Sequence, residues 1–260
     1  MDQVPEKIKK DVDQFASDIR DTFGNAALSV ILYGPASRGE HYKDRTYINF
    51  LVILEDNTPS ELAKCSGRVK SWLKRRIATP LFLDPSYIGR SLDTFPLEFM
   101  DMKAAYVVIH GDDVLGDLSF NADDIRNQCE RELKGKLLYL RAEYLTVRSN
   151  KKLLVDLINR SLNTFRLVFA GALHLTGCDI PKDTATMLET VAEEYSLDGA
   201  LLKQLAGIGN GEIKVSETEA DRIFDLYVEE LDKLSHKIDV ITDITPPVEP
   251  HETEEGDQEE

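Results

Sequence analysis

Apolar residues recur at three- and four-residue intervals along residues 5–23, at Ile8, Val12, Phe15, Ile19 and Phe23, which predicts an amphipathic helix ended by Gly24. Residues 28–33 and 48–54 are different in kind. Both are almost continuously apolar and rich in β-branched side chains, the pattern of central strands covered on two faces. A turn over residues 34–39 lies between them. Residues 59–77 carry Leu62, Val69, Trp72 and Leu73 at helical spacing, and residues 78–83 return as a third strand. Asp84, Pro85 and Ser86 then make a turn into a short helix over residues 87–92. A further extended segment is expected over residues 96–110, closed by Gly111 and Asp112.

The pattern changes at Asn121. This residue is placed as an N-cap, with Asp123 and Asp124 in the first turn, where negative charge meets the positive end of the helix dipole. The helix is expected to reach about residue 148, with Cys129, Leu133, Leu137, Leu140 and Tyr144 along one face. Residues 150–175 form a second long helix, apolar enough between Leu157 and Leu175 to be central, and Gly177 stops it. Residues 182–195 and 197–206 are shorter helices. After a loop at Gly209, Asn210 and Gly211, Ser216 and Glu219 have capping-box spacing and open a last helix to about residue 240. The second half is thus a helical bundle, and no repeat of solenoid period is evident.

Composition narrows the classes of function. The chain has 260 residues and a net charge of −16, enough length for two packed units and a negative field that disfavours general nucleic-acid or anionic-membrane binding. Its three cysteines, Cys65, Cys129 and Cys178, are odd in number and far apart, which fits buried thiols in a reducing compartment and neither a disulfide framework nor a zinc site. No stretch has the length of a membrane span and the N-terminus lacks a signal-type apolar run, so a cytoplasmic location is expected. Residues 246–260 carry seven carboxylates and no large apolar residue beyond Val248, and are expected to be a disordered acidic tail. The expected organisation is an α/β domain over residues 1–118, a helical bundle over 119–242 and the tail over 243–260. Lys70, Lys74, Arg75 and Arg76 read as a solvated helix end, and His174, on an apolar helix, as a satisfied core residue.

The chemistry concentrates in residues 28–54, LSVILYGPASRGEHYKDRTYINFLVIL. In-line transfer of a nucleotidyl group builds negative charge on both the attacking and leaving oxygens, which two divalent metals neutralise. Two carboxylates at i and i+2 on a strand share one face and can hold those metals, while a glycine turn into a helix N-terminus holds the phosphates. In this outline residues 28–54 resemble the nucleotidyltransferase superfamily that includes DNA polymerase β and the kanamycin nucleotidyltransferases. Gly34 matches the turn glycine, Arg38 and Gly39 the Arg-Gly pair, and residues 46–54 follow the second strand in register. The helical half is similar, more weakly, to the bundle behind the catalytic domain in the kanamycin group. The resemblance implies an α+β fold, a nucleotidyltransferase-like mixed sheet with helices followed by an all-α bundle, with Gly34, Ser37, Arg38 and Gly39 as nucleotide- or phosphate-binding residues.

Several residues depart from that pattern. Where the family places its two metal-binding aspartates this chain has Tyr47 and Asn49, residues 79–83 supply no third carboxylate, and Pro35 removes a backbone donor from the turn. Tyr47 and Asn49 are expected to fill the vacated metal pocket as a hydrogen-bonded pair, with Ser37 replacing the missing turn hydroxyl. The expected function is a catalytically silent, nucleotidyltransferase-like protein without a metal site, which binds a nucleotide or a protein partner through the vestigial cleft, with self-association through the bundle as a further role. The alternative is an active enzyme acting on a small molecule or protein, with Mg2+ held by a rearranged acidic site drawn from Asp44, Asp56 or Asp84. Each of those aspartates also suits a turn or cap.

Overall fold

The computed structural model describes residues 4–37, 47–209 and 212–241. Arg38, Gly39, Asp44 and the acidic tail lie outside them. The chain divides into two compact units, Met1–Asp124 and Ile125–Glu260.

The first unit begins with α1 (Glu6–Phe23) and continues through β1 (Ala27–Tyr33) and β2 (Asn49–Leu54). The expected long helix after β2 is broken. It consists of α2 (Pro59–Ala63), a 3-10 turn (Ser66–Arg68) and α3 (Val69–Lys74), and Gly67 lies in the break. Then come β3 (Leu81–Leu83), α4 (Pro85–Ser91), α5 (Pro96–Ala104) and β4 (Tyr106–Gly111). The sheet is mixed, in the order β3-β2-β1-β4, with β1 antiparallel to both neighbours and β3 parallel to β2. Helix α5 corrects the reading of residues 96–110 as extended. Pro96 occupies its first position, where a missing N–H costs nothing, and its buried residues Leu97, Phe99, Met100 and Met102 make no clean stripe.

Alternation along the strands gives the sheet two buried faces. Val30, Leu32, Phe50, Val52 and Leu54 pack with Phe15 and Ile19 of α1 and Trp72 of α3, whereas Ile31, Leu51 and Ile53 pack with Phe99 and Met102 of α5. The first face holds a stacked Phe15–Phe50 pair at 3.9 Å with Trp72 edge-on to Phe15 at 5.1 Å. At its margin Asp18 is 6% exposed. Its carboxylate accepts from Trp72 Nε1 at 2.8 Å, Arg68 at 2.7 Å, Arg75 at 2.8 Å and Gln14 at 3.2 Å. Arg75 is therefore drawn inward as a partner of Asp18, which corrects its place in a solvated helix end. At the end of β4, Gly111 has φ +78°, and a Cβ there would stand 1.8 Å from Leu28 O, so the backbone approach requires glycine.

The second unit is helical, as the apolar spacing predicted. It comprises α6 (Ala122–Val147), whose first turn precedes the division, and then α7 (Lys151–Leu175), α8 (Thr184–Glu194), α9 (Gly199–Gly209) and α10 (Glu217–Asp239). The caps read from sequence at Asn121 and Ser216 are present, and Asn150 adds one on α7. Asn121 Oδ1 accepts from Asp123 N at 2.8 Å, Asn150 caps α7, and Ser216 with Glu219 forms a capping box on α10. Helix α7 buries Leu157, Ile158, Phe165 and Phe169, and Tyr227 of α10 is fully buried, its hydroxyl 3.1 Å from Ser161 Oγ. Burial lowers the His174 pKa, but the side chain is only partly buried and is not among the core residues of α7, so it is not the satisfied core residue expected. Cys65 and Cys129 are buried, while Cys178 is only partly so.

Candidate functional site

Gly34 follows β1 directly, and the register places Tyr33 opposite Asn49 on one side and Tyr106 on the other. Asn49, Tyr33 and Tyr106 thus form a row across one end of the sheet, on the α5 face. Gly34 has φ +77°, and a Cβ at this position would lie 3.4 Å from Asn49 Nδ2. Its left-handed backbone lets the chain turn tightly beside that amide.

The turn is latched to the rest of the unit by its own donors. Gly34 N–H donates to Ala105 O at 2.9 Å and Ser37 N–H to Gly34 O at 3.0 Å. The Ser37 hydroxyl faces two carbonyls, Gly34 O at 2.7 Å and Ala105 O at 2.9 Å, which share its single proton. Pro35 has no N–H. Among the described residues only Ala36 N–H of this turn is without a partner, so residues 34–37 offer an incoming anion few donors. The Ser37 hydroxyl anchors the turn instead of standing ready as a replacement phosphate ligand.

Tyr47 is 51% exposed. Neither its hydroxyl nor the Asn49 carboxamide makes a hydrogen bond among the described residues, so the expected Tyr47–Asn49 pair is not formed there. The physical reason is their unequal setting: Asn49 sits against Gly34 within the sheet, while Tyr47 precedes the strand and turns half into solvent. As a donor set for a hard divalent cation the two do not fit. An amide oxygen is a weak ligand, and a phenol at neutral pH keeps its proton.

The aspartates offered as substitutes are distributed as follows. Asp56 follows β2 at its Leu54 end and accepts from Thr58 N at 2.9 Å, a local turn. Asp84 caps α4, accepting from Tyr87 N at 2.9 Å. Because Ile53 pairs with Leu83, both lie beyond the same end of the sheet, opposite to Gly34 and Asn49. Strand rise over β2 separates the two ends by ~17 Å. Asp44 is outside the described residues, as are Arg38 and Gly39. Among the described residues no group of three or more His, Cys, Asp or Glu side chains could hold a metal ion.

Sequence reasoning missed the polar residues that accompany the row. Tyr106 Oη donates to Asp113 at 2.7 Å, and burial, with that hydrogen bond and the charges of Asp113 and Asp117, pushes the phenol up to about 12. Burial would raise Asp113 as well, but hydrogen bonds from Tyr106, Gly116 N and Leu115 N outweigh it and hold the carboxyl low. Burial, then the charge of Asp101 on α5, raises Tyr33. Alternation within β4 separates Tyr106 from Val107 and Ile109, but setting it beside Tyr33 needs the register between the strands. Placing Asp101 required recognising α5 as a helix.

No family model matches the chain, and no curated protein matches it in sequence. Among solved structures it is similar to spectinomycin adenyltransferase AAD(9) from Enterococcus faecialis, solved with ATP and spectinomycin, with a TM-score of 0.56 at 10% identity over 89% of this chain and 99% of that one. At this identity the likeness establishes the fold. The chain has a nucleotidyltransferase-like α+β fold, a mixed four-stranded sheet with helices followed by a helical region. No described helix is long and apolar enough to cross a membrane.

Proposed function

We propose that this protein is a nucleotidyltransferase-like binding protein without transferase activity, which holds a nucleotide at the Gly34–Asn49 end of the sheet independently of a divalent metal. The observation that carries the reading is the substitution of the ligating pair: Tyr47 and Asn49 stand where two carboxylates would be needed, and Asp56 and Asp84 lie at the sheet's opposite end. Without paired carboxylates the charge that develops on the attacking and leaving oxygens has no metal to meet it. A neutral amide and a phenol can still donate to an anion at the same place. That AAD(9) was solved with ATP supports a nucleotide as ligand here. Because the donors of residues 34–37 are largely engaged within the turn, side chains must supply much of the recognition.

Titration calorimetry of the four nucleoside triphosphates, each with Mg2+, with Mn2+ and with a chelator, tests this. One triphosphate is expected to bind with the same affinity in all three, and ATP with spectinomycin and Mg2+ is expected to yield no adenylylated product. Metal-dependent binding or product formation overturns the reading in favour of a rearranged acidic site. Absence of binding by any triphosphate turns it toward a protein ligand.

A further inference from the structure

The turn that closes α3 lies against the start of β2. Ile48 N–H donates to Arg76 O at 2.9 Å and Ala78 N–H to Ile48 O at 3.0 Å, while Ile77 pairs with Ile48 in a parallel bridge. The backbone of Arg76 is thereby fixed beside residues 47–49, at the end of the sheet where Gly34 adjoins Asn49. Its neighbour Arg75 is committed to Asp18 at the margin of the α1 face.

Arg76 also holds a backbone conformation that its side chain disfavours. Arg76 N–H donates to Leu73 O at 3.1 Å and Ile77 N–H to Trp72 O at 2.9 Å, the two bonds of a Schellman cap, and φ at Arg76 is +57°. Glycine is the usual residue at this place, because a Cβ is crowded in the left-handed region. An arginine here costs stability, and residues held in such conformations gather at ligand sites.

The chemistry of this end calls for a cation. Tyr47 and Asn49 are neutral, the donors of residues 34–37 are largely engaged within their turn, and the chain carries a net charge of −16. A polyphosphate held here without a divalent metal needs positive charge from a side chain. A guanidinium supplies it, with donors in a fork that matches phosphate oxygens. Of the described residues whose backbone is joined to Ile48 or Asn49, Arg76 is the basic one, and Lys103, the basic residue of α5, donates to Leu118 O at 2.6 Å. We infer that Arg76 binds the phosphates of a nucleotide at the Gly34–Asn49 end and supplies the positive charge that a metal would otherwise bring. The inference rests on the nucleotide-binding reading above and names the residue that frees it from metal.

The test uses the full chain with a chelator present, and combines titration calorimetry with thermal melting. The probes are the four nucleoside triphosphates, their nucleosides and inorganic tripolyphosphate. The native chain is expected to bind one triphosphate and tripolyphosphate, and the matching nucleoside at least about tenfold more weakly. Arg76→Gly should weaken both phosphate ligands at least about tenfold and yet melt above the native chain, because the left-handed turn is relieved. Arg76→Lys should recover part of the affinity, since it restores the charge without the fork. Ser196→Gly brings the same relief at the end of α8, where φ is +47°, and should raise melting with binding unchanged. Native affinity in Arg76→Gly, or a nucleoside bound as tightly as its triphosphate, overturns the inference and leaves the nucleotide reading standing. A lower melting temperature in Arg76→Gly overturns it in favour of a structural role. Tripolyphosphate bound without any nucleotide overturns the nucleotide reading and upholds Arg76 as an anion-binding residue when Arg76→Gly abolishes it. A native chain that binds neither overturns both.

Discussion

Two polar clusters of the first unit handle charge in opposite ways. At the margin of the α1 face, Asp18 keeps its charge and is met by two guanidiniums, an indole N–H and an amide. At the Gly34 end of the sheet, Tyr47 and Asn49 carry no charge, and the phenol and amide there have no hydrogen-bond partner among the described residues. A buried carboxylate persists only where its neighbours repay desolvation, whereas one that relies on a metal can be replaced once the metal is no longer used. The Asp18 cluster therefore belongs to stability, joining α1 to α3 across more than fifty residues of sequence. In the function proposed above, the Gly34 end serves recognition.

The largest expected effect separates these roles. Asp18→Ala leaves Arg68 and Arg75 facing each other without their acid, and Arg75 Nη1 is already buried without a hydrogen-bond partner. A loss of about 3 kcal/mol is expected in chemical denaturation, with nucleotide binding unchanged under native conditions. The wild-type pH profile carries the same signature. Burial would raise the Asp18 carboxyl, but hydrogen bonds from Trp72, Gln14 and Arg75 and the charge of Arg68 hold it below its ordinary value of 3.8. Its stabilisation is thus present above that value and is lost as pH falls through the still lower folded pKa, so the variant's deficit should shrink under acid. An undiminished deficit at low pH would remove the charge from the explanation and leave only packing.

The same contrast shows how far the sequence could be read. The strands were visible because residues 28–33 and 48–54 are apolar on both faces, and the caps at Asn121 and Ser216 because capping acts over two or three residues. Asp18 was invisible: it interrupts an apolar stripe that was read without it, and its partners lie 50, 54 and 57 residues away. The Asn49–Tyr33–Tyr106 row needed the register of three strands, which no local pattern encodes. Helix α5 was misread because it is buried around most of its circumference and shows no helical period.

The second effect tests how firmly the recognition end is built. Gly34→Ala forces a side chain into a left-handed conformation at φ +77°, in van der Waals contact with the Asn49 amide 3.4 Å away. A cost of about 1–2 kcal/mol is expected from the backbone, and unlike Asp18→Ala it should be accompanied by weaker nucleotide binding, because the turn beside Asn49 relaxes to relieve it. Unchanged binding at equal destabilisation would detach Asn49 from the ligand.

The smallest effect in stability is the most direct probe of the comparison, because it returns charge to the end that lacks it. Tyr47→Asp together with Asn49→Asp places two carboxylates two residues apart, one at the start of β2 and one just before it, ~7 Å apart along extended backbone, where mutual repulsion in water costs about 0.6 kcal/mol. Without divalent cations the double variant should melt slightly below the native chain. Millimolar Mg2+ or Mn2+ should reverse that order, since a cation that binds only the folded state raises its stability by mass action. The native chain should be indifferent to either metal. If native melting already rises with Mg2+, a metal site exists elsewhere and the absence of charge at residues 47 and 49 no longer argues against catalysis. If the double variant gains nothing, two carboxylates at this end do not suffice to hold a metal, and a third acid placed among residues 79–83 becomes the next substitution to try.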